Sequence, residues 1–247
     1  MKELIKVIDL YKKDILDNIN FSIKEGEMAA IMGPSGSGKS TLLYELAGMD
    51  RPDRGNIFFM DQDITTLDDD RCAGMRLQHM GFVFQQMNMM SDMDILDNIM
   101  LPAIWAEKKN KARKPGQLEA KALGYMAKLG LGGLEKRRIN EVSGGQLQRA
   151  CICRALMNLP SILFADEPTG ALNQKASKEV MSEFIRLNRE NTTILIVTHD
   201  SHVAKLCDKV YYLLDGRITD ELSLGKYDEK YRDIREERMR SWLSQKE

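Results

Sequence analysis

The segment at residues 33–40 constrains the fold more than any other part of this sequence. It reads Gly33-Pro34-Ser35-Gly36-Ser37-Gly38-Lys39-Ser40 and fits the pattern G-x-x-x-x-G-K-[ST]. The apolar run Met28–Met32 precedes it, and a helix-forming stretch begins at Thr41. A glycine-rich turn without a ligand would explain the glycines but not Lys39 and Ser40. Strand, glycine-rich loop and helix, in this order, predict an α/β fold with a phosphate-binding loop.

The residue types of this loop suit the phosphates of a nucleotide. Glycines let the backbone bend so that successive N–H groups face the phosphates, and the helix start adds its positive dipole end. Lys39 can reach the β- and γ-phosphates, and the Ser40 hydroxyl can bind Mg²⁺. The predicted cofactor-binding residues of the loop are Gly33, Ser35, Gly36, Ser37, Gly38, Lys39, Ser40 and Thr41.

Further short apolar runs predict buried strands of a mainly parallel sheet. They lie at Met80–Phe84, 162–165 and 194–197, and helical stretches separate them. The alternating segment 19–23 and the two runs beside the turn signal Asp215-Gly216 predict antiparallel additions.

The middle of the chain, from about Ile95 to Leu156, is charged and helix-forming. Loop breaks at 114–116 and 131–133 divide it. This composition predicts a helical insertion in the α/β core.

The apolar run at 162–165 ends in two acidic residues, Asp166 and Glu167. Ligands of parallel α/β sheets bind beyond the carboxyl ends of the strands. Asp166 is therefore placed to hold Mg²⁺ through its water shell, and Glu167 to polarise an attacking water. Many strands end in acidic residues, so this pair is a weak signal by itself. Together with the phosphate-binding loop, it predicts metal-assisted phosphoryl transfer.

Composition excludes several classes of function. The formal net charge of −1 gives no bulk attraction to nucleic acid or anionic lipid. The chain has no stretch of about 18 consecutive apolar residues, and its start does not resemble a signal peptide. If the function involves membrane transport, we therefore expect a different chain to cross the membrane. The cysteines lack zinc or redox spacing, which predicts buried apolar filler in a reducing compartment.

The segment Val142-Ser143-Gly144-Gly145-Gln146 narrows the family. Here the sequence resembles ATP-binding cassette proteins, whose signature is L-S-G-G-Q. The phosphate-binding loop, Gln85, the signature, the acidic pair and His199 occur in that family's order, and the resemblance covers roughly residues 1–220. It implies a P-loop nucleotide-binding domain at 1–222, with a helical subdomain at about 86–156. An amphipathic helical extension would follow at 223–247.

The resemblance also implies how ATP is held. The signature residues Ser143, Gly144, Gly145 and Gln146 of one protomer would close on the γ-phosphate held by the other protomer. The second copy thus completes the site, in a head-to-tail homodimer with two sandwiched ATP molecules. A serine hydroxyl, glycine N–H groups and a helix start make an anion site, although Ser143 is also typical of a plain helix N-cap.

Other positions match the family one at a time. Tyr11 occupies the position of an aromatic that stacks on adenine, but a core tyrosine is a serious alternative. Gln85 matches the glutamine that senses Mg²⁺ and the attacking water. His199 matches the histidine that contacts the γ-phosphate, although a histidine at a strand end can also be a satisfied core residue. The implied catalytic set is Glu167, His199, Gln85 and Lys39, and the implied metal-binding set is Ser40, Gln85 and Asp166.

Two positions depart from the family pattern. Val142 replaces the usual leucine of the signature, which conserves packing. Asn173 replaces the usual aspartate of the loop at the dimer interface, so an acceptor remains but the charge is lost.

Within the family, the chain looks like the bacterial macrolide-export, lipoprotein-release and bacitracin-resistance group. This implies an ATPase on the cytoplasmic face of the membrane that energises a separate transmembrane permease acting on peptides, lipoproteins or drugs. The alternative is the ATPase of a cell-division regulatory complex that transports nothing. A soluble cassette acting on ribosomes or DNA is disfavoured, since the chain lacks a second cassette, a basic surface and a long coiled coil. No nucleic-acid partner is expected.

Two segments pose questions about partners. Met87, Met89, Met90 and Met93 favour a partly exposed groove for a cytoplasmic helix of the permease, and ordinary core filling is the alternative. In the tail, Tyr227, Tyr231, Ile234 and Trp242 recur at helical spacing. They predict a closing helix packed on its own core, with a partner-docking helix as the alternative.

Overall fold

The computed structural model describes residues 2–110 and 116–246. Within these ranges the strands are β1 (Glu3–Lys12), β2 (Leu16–Lys24), β3 (Met28–Met32), β4 (Arg54–Phe59), β5 (Gln62–Asp63), β6 (Met80–Phe84), β7 (Ile162–Asp166), β8 (Thr193–Thr198), β9 (Lys209–Leu214) and β10 (Arg217–Ser223). The α-helices of the same ranges are α1 (Lys39–Leu46), α2 (Asp69–His79), α3 (Ile95–Asn110), α4 (Gln117–Lys128), α5 (Gly144–Leu156), α6 (Gln174–Arg189), α7 (Ser201–Ala204) and α8 (Arg232–Leu243). The chain divides into two compact units, a first unit of Met1–Ala73 with Ile185–Glu247 and a second unit of Gly74–Phe184.

The first unit contains an antiparallel sheet in the order β2-β1-β4-β5. Alternation along β2 places Ile19 and Ile23, both buried, on the same face, and Leu16 is buried as well. The strand predicted at 19–23 and its antiparallel pairing are therefore confirmed. The remaining strands of this sheet are additional to those predicted.

The first unit also contains strands in the order β10-β9-β3-β8. Strand β3 runs parallel to both β8 and β9, and every residue of β3 and β8 is buried. Burial on both faces explains why these strands are continuous apolar runs in the sequence. The hairpin of β9 and β10 is confirmed, and its turn residues Asp215 and Gly216 have φ values of 47° and 74°. Positive φ at both positions is what a tight two-residue hairpin turn requires.

The second unit contains the parallel pair β6 and β7 and three helices that contact one another, α3, α4 and α5. Helix α5 also lies against β6. These helices confirm the predicted helical insertion. The break at 131–133 is present, and Gly133 there has a φ of 85°. Of the break at 114–116, Gly116 precedes α4 with a φ of 88°, whereas residues 114 and 115 lie outside the described ranges.

The C-terminal helix α8 is fixed to the first unit by a buried arginine. Arg235 is 3% exposed, and its Nη2 and Nε donate to the carbonyl oxygens of Cys207 (2.6 Å) and Lys205 (2.9 Å). The indole Nε1 of Trp242, which is also buried, donates to Asp220 Oδ2 at 2.9 Å. Because a buried guanidinium is stable only when its donors are satisfied, this network ties α8 to its own unit.

The predicted closing helix is therefore confirmed, but the residues assigned to its packed face were partly wrong. Tyr231 and Ile234 are 57% and 55% exposed, and Tyr227 and Tyr231 precede the first residue of α8. The buried side chains of α8 are Arg235, Met239 and Trp242. The aromatic spacing was misleading because the buried face of α8 includes an arginine, Arg235, which binds backbone carbonyls.

The four cysteines, Cys72, Cys151, Cys153 and Cys207, are buried and free, as predicted for apolar filler. Burial raises the pKa of the Cys151 thiol to about 11 and that of the Cys153 thiol to about 12. Both thiols therefore remain protonated near neutral pH, which makes them poor nucleophiles.

No helix in residues 2–110 or 116–246 is both long enough and apolar enough to span a membrane.

Candidate functional site

The phosphate-binding loop connects β3 to α1 and needs its glycines for two different reasons. Gly36 and Gly38 have φ values of 80° and 99°, which only glycine adopts without strain. Gly33 is required by close packing, because a Cβ there would lie 2.0 Å from the carbonyl oxygen of Leu213. The loop geometry thus explains the glycines at both ends of the sequence pattern.

Two buried polar side chains lie inside this loop. The Nζ of Lys39, which is 8% exposed, donates to the carbonyl oxygens of Gly33 (2.9 Å) and Pro34 (2.8 Å). The Oγ of Ser37 is buried and has no hydrogen-bond partner within the described part of the chain. A buried hydroxyl without a partner costs about 1–3 kcal/mol, and a bound ligand or water that accepts its hydrogen bond would offset this cost.

The N-terminus of α1 offers further donors. Its N-cap is Gly38, and within the described residues no side chain caps this helix end. Ser35, Gly36 and Ser40 are exposed, whereas Thr41 is half-buried. An uncapped helix start with neighbouring hydroxyl groups is an anion-binding arrangement.

The parallel pairing of β3 and β8 brings His199 to the loop within the first unit. Met32 is the register partner of Thr198, so Gly33 and His199 each follow directly after paired residues. Thr198 Oγ1 accepts a hydrogen bond from the Asp200 backbone N–H (3.0 Å), which fixes the turn that carries His199. His199 is exposed, which does not fit the alternative of a core histidine.

Tyr11 is half-buried on β1 and therefore is not a core tyrosine. The guanidinium carbon of Arg54 lies 5.4 Å from the centre of its ring, a cation–π distance. Tyr11 and Arg54 are register partners on β1 and β4. Arg54 thus supports one face of an aromatic ring that is partly open to solvent.

The parallel pairing of β6 and β7 gathers the other acidic and amide groups within the second unit. Phe84 is the register partner of Asp166, so Gln85 and Glu167 each follow directly after paired residues. Glu167 has a φ of 46°, an uncommon conformation for a residue with a side chain. A Cβ on Gly170 would lie 2.9 Å from Gln85 Nε2, so the amide lies against the turn that follows Glu167.

The signature forms the N-terminus of α5. Ser143 is the N-cap, and it exchanges two hydrogen bonds with Gln146: Gln146 N to Ser143 Oγ (3.3 Å) and Ser143 N to Gln146 Oε1 (2.8 Å). The predicted N-cap is confirmed, as a capping box. Gly145 is buried, and a Cβ there would lie 2.9 Å from the Ala176 Cβ, while Gly144 is exposed.

Asn173 uses the acceptor that it retains. Its Oδ1 accepts a hydrogen bond from the Ala176 backbone N–H (2.9 Å) at the start of α6. An aspartate would cap the same helix through the same contact. The replacement of aspartate by asparagine therefore preserves the local structure and removes one negative charge.

Sequence reasoning missed Glu45, a charged residue in the helix that begins at the phosphate-binding loop. Glu45 is 0% exposed, and neither carboxylate oxygen has a hydrogen-bond partner in the described residues. The Nζ of Lys12 lies 3.9 Å from Oε1. Burial raises its pKa from 4.5 to about 7, which Lys12 opposes and the charges of Asp50 and Asp53 reinforce.

The raised pKa of Glu45 predicts that the free energy of unfolding depends on pH. Between its ordinary pKa of 4.5 and about 7, the folded protein holds a proton that the unfolded chain releases. The free energy of unfolding therefore falls as the pH rises through this window. In Glu45→Gln this contribution is absent, so we expect the substitution to stabilise the protein by up to about 3 kcal/mol more near pH 8 than near pH 5. Urea unfolding at both pH values measures the difference.

The matched control is Glu190→Gln, at an exposed position. It should change stability by less than about 0.5 kcal/mol at either pH. An equal effect of Glu45→Gln at the two pH values would contradict the assigned protonation.

Comparison with known proteins agrees with this geometry. The family model described as "ABC transporter" matches residues 16–170, more than half of the chain. The chain is 41% identical to the macrolide export ATP-binding/permease protein MacB of Shewanella sp. (strain W3-18-1), over 84% of this chain and 31% of that protein. It is 43% identical to the ABC transporter ATP-binding protein YxdL of Bacillus subtilis (strain 168), over 92% of this chain and 88% of that protein. The chain thus spans about a third of MacB and most of YxdL.

A solved structure shares the fold. It is the dimeric post-hydrolysis state of the ATP-binding cassette MJ0796 bound to ADP and Pi, with a TM-score of 0.81 and 36% identity. The match covers 90% of this chain and 100% of that chain. The P-loop α/β fold predicted from the sequence is thereby confirmed, and the chain belongs to the ABC transporter family as one of its ATP-binding cassettes.

Proposed function

We propose that the chain binds ATP with Mg²⁺ and hydrolyses it to ADP and phosphate. The observation that carries this proposal is the donor set of the loop: the buried Ser37 hydroxyl without a described partner, the Lys39 ammonium and the uncapped start of α1. The phosphates of ATP would supply acceptors for all three, so the residues fit the ligand. Release of phosphate from ATP by the purified chain tests the proposal directly.

The side chains proposed as metal ligands have the chemistry that suits Mg²⁺. Ser40 offers a hydroxyl, Asp166 a carboxylate and Gln85 an amide oxygen, which are the hard ligands that this ion prefers. When bound, Mg²⁺ neutralises charge that develops on the transferred phosphoryl group.

Residues of the chain would activate the attacking water and bind the γ-phosphate. Glu167 would accept a hydrogen bond from the attacking water and increase its nucleophilicity, while Gln85 would hold that water in line. His199 would donate a hydrogen bond to the γ-phosphate. The register pairs of each unit support these roles, because Gln85 follows a residue paired with Asp166, and His199 follows a residue paired with Met32.

A second copy of the chain would complete each site. The similar cassette MJ0796 is described as a dimer. Ser143 and Gly144 are exposed at the N-terminus of α5, so the Ser143 hydroxyl and the Gly144 N–H could reach a phosphate of another protomer. In this proposal each protomer holds ATP on its own loop, and the partner's signature covers it.

Ser143→Arg tests this composite site. We expect the variant to bind ATP about as tightly as the wild type, because the loop at 33–40 is unchanged. The bulky cation would prevent the signature from closing, so turnover should fall by at least about a hundredfold. Nucleotide titration and phosphate release measure the two effects. Ser182→Arg, at an exposed serine of α6, is the matched control. Wild-type turnover in Ser143→Arg would argue against the composite site.

The partner of this dimer would be a membrane permease, with the ATPase on the cytoplasmic face. The names of the similar proteins MacB and YxdL, a macrolide export ATP-binding/permease protein and an ABC transporter ATP-binding protein, support this proposal. On this basis the chain would energise the movement of drugs, peptides or lipoproteins. The methionine segment after Gln85 is a suitable docking surface, since Met90 is 56% exposed and Met87, Met89 and Met93 are half-buried.

Met90→Glu tests the docking surface, with Met89→Glu as a second variant. We expect both variants to keep their fold and their affinity for ATP but no longer to bind the permease. The reason is that the introduced carboxylate would be desolvated in the contact. A thermal melt with ATP checks the fold, and copurification of the permease with the tagged chain from solubilised native membranes measures the complex. Met60→Glu, at a position 43% exposed in the first unit, is the control. Normal copurification by both variants would discard this surface, and unfolding of both would instead place the methionines in the core.

A further inference from the structure

Helix α5 holds the backbone on both sides of Gln85. Gln148, Cys151 and Arg154 recur at intervals of three, which places them on neighbouring positions along the helix. Gln148 Nε2 donates to the carbonyl oxygen of Phe84 at 3.4 Å, immediately before Gln85. Cys151 Sγ donates to the carbonyl oxygen of Met87 at 3.4 Å, two residues after it.

Arg154 supplies the strongest of these contacts. Its Nη2 donates to the carbonyl oxygen of Met87 at 2.8 Å, and its Nη1 to that of Asn88 at 2.7 Å. Both are short and charge-assisted, whereas the Gln148 contact is long for an amide donor and the Cys151 thiol is a weak donor. The planar guanidinium therefore fixes two successive peptide groups in one orientation.

The backbone is bent where Arg154 binds it. Asn88 has a φ of 46°, in the left-handed region that asparagine tolerates better than most residues. Such a conformation persists only when its surroundings determine it. The two bonds from Arg154 hold the carbonyl groups of Met87 and Asn88, so they restrain the direction in which the chain leaves Gln85.

The far end of the segment is fixed as well. Asn98 is 1% exposed, and its Oδ1 accepts from the Met90 N–H at 2.7 Å. Its Nδ2 donates to the carbonyl oxygens of Met90 (3.0 Å) and Asp94 (2.9 Å). The segment from Gln85 to Asp94 is thus anchored at both ends, and Arg154 is the anchor nearer to Gln85.

We propose that Arg154 is a positioning residue for Gln85, through which helix α5 sets the Gln85 side chain relative to the signature at the same helix's N-terminus. Since Ser143 caps α5 and Arg154 lies in its last turns, one rigid helix joins the signature to the Gln85 segment. Displacement of the signature by a partner protomer would then displace Gln85 with it. This inference rests on the proposed ATPase function, in which Gln85 holds the attacking water.

A double-mutant cycle in the full-length chain tests the inference. We expect Arg154→Met to lower kcat by about ten- to a hundredfold with little change in KM, as displacement of a positioning group does. Arg154→Lys, which keeps a donor for one carbonyl, should recover part of the loss. If Arg154 acts through Gln85, adding Arg154→Met to Gln85→Ala should lower kcat no further. Arg137→Met, at an arginine whose side chain is 58% exposed, is the control.

Hydrogen exchange without nucleotide gives a second readout that does not depend on turnover. Arg154→Met should accelerate exchange of the amides at residues 85–90, while the amides of α3 and α4 keep wild-type rates. Losses in kcat that multiply in the double variant, or unchanged exchange at 85–90, would overturn the inference. If the wild type itself does not hydrolyse ATP, the proposed function fails, and the exchange data still decide whether Arg154 fixes the segment. Should Arg154→Met unfold, Arg154→Lys supplies both measurements.

Discussion

Glu167→Gln is expected to bind ATP with near wild-type affinity and to hydrolyse it about 10²- to 10⁴-fold more slowly, the contribution typical of a general base. The amide is nearly the same size as the carboxylate, but it lacks the charge that polarises the attacking water. The residue directly follows Asp166, which ends β7, and its positive φ fixes the direction of the side chain. Phosphate release under saturating ATP measures the loss, and a binding titration shows that the affinity is retained.

Glu25→Gln is the matched control, because Glu25 is exposed in the turn after β2. It should hydrolyse ATP at the wild-type rate. Full turnover by Glu167→Gln would remove Glu167 from the catalytic set and would transfer the role of base to another group.

Lys39→Ala should abolish turnover for a different reason. The ammonium of Lys39 donates to two carbonyl oxygens of its own loop, and in the proposed function it also binds the phosphates of ATP. Loss of a charge-assisted contact to phosphate should weaken ATP binding by about ten- to a hundredfold. Turnover should fall by more than about a hundredfold, since the same charge stabilises the transition state. Isothermal titration and phosphate release separate the two effects.

The control for this change is Lys24→Ala, at an exposed lysine of β2. It should leave both quantities unchanged. Hydrolysis by Lys39→Ala at the wild-type rate under saturating ATP would refute the phosphate-binding loop.

Much of the candidate site could be located in the sequence because its residues form short local segments. Three parts of it are each only a few residues long: the loop at 33–40, the acidic pair after β7 and the signature at the start of α5. In such short segments the residue types directly reflect the local backbone conformation. Buried parallel strands such as β3 and β8 are also visible as continuous apolar runs. For His199 and Gln85, the register partners Met32–Thr198 and Phe84–Asp166 show why residues distant in sequence follow adjacent strand ends.

What the sequence did not predict depends on long-range contacts of polar side chains. Arg235 is a charged residue in a charged helix, and nothing local shows that its guanidinium is buried against backbone carbonyls. Glu45 looks like an ordinary helix surface residue, yet it is fully buried near Lys12. Arg154 contacts carbonyls more than sixty residues away in the chain. Hydrophobic periodicity shows only where apolar side chains are buried. It gives no signal for the buried charged groups of Arg235, Glu45 and Arg154.

In the proposed homodimer, ATP is enclosed between the loop of one protomer and the signature of another. Light scattering coupled to size exclusion tests it most directly, on Glu167→Gln with ATP and Mg²⁺, with ADP and Mg²⁺, and without nucleotide. Because slow hydrolysis preserves bound ATP, we predict a mass twice that of one chain with ATP only, and the mass of one chain for Glu167→Gln/Ser143→Arg in every condition. A variant that binds ATP tightly and remains monomeric, or a double variant that still dimerises with ATP, would contradict the account.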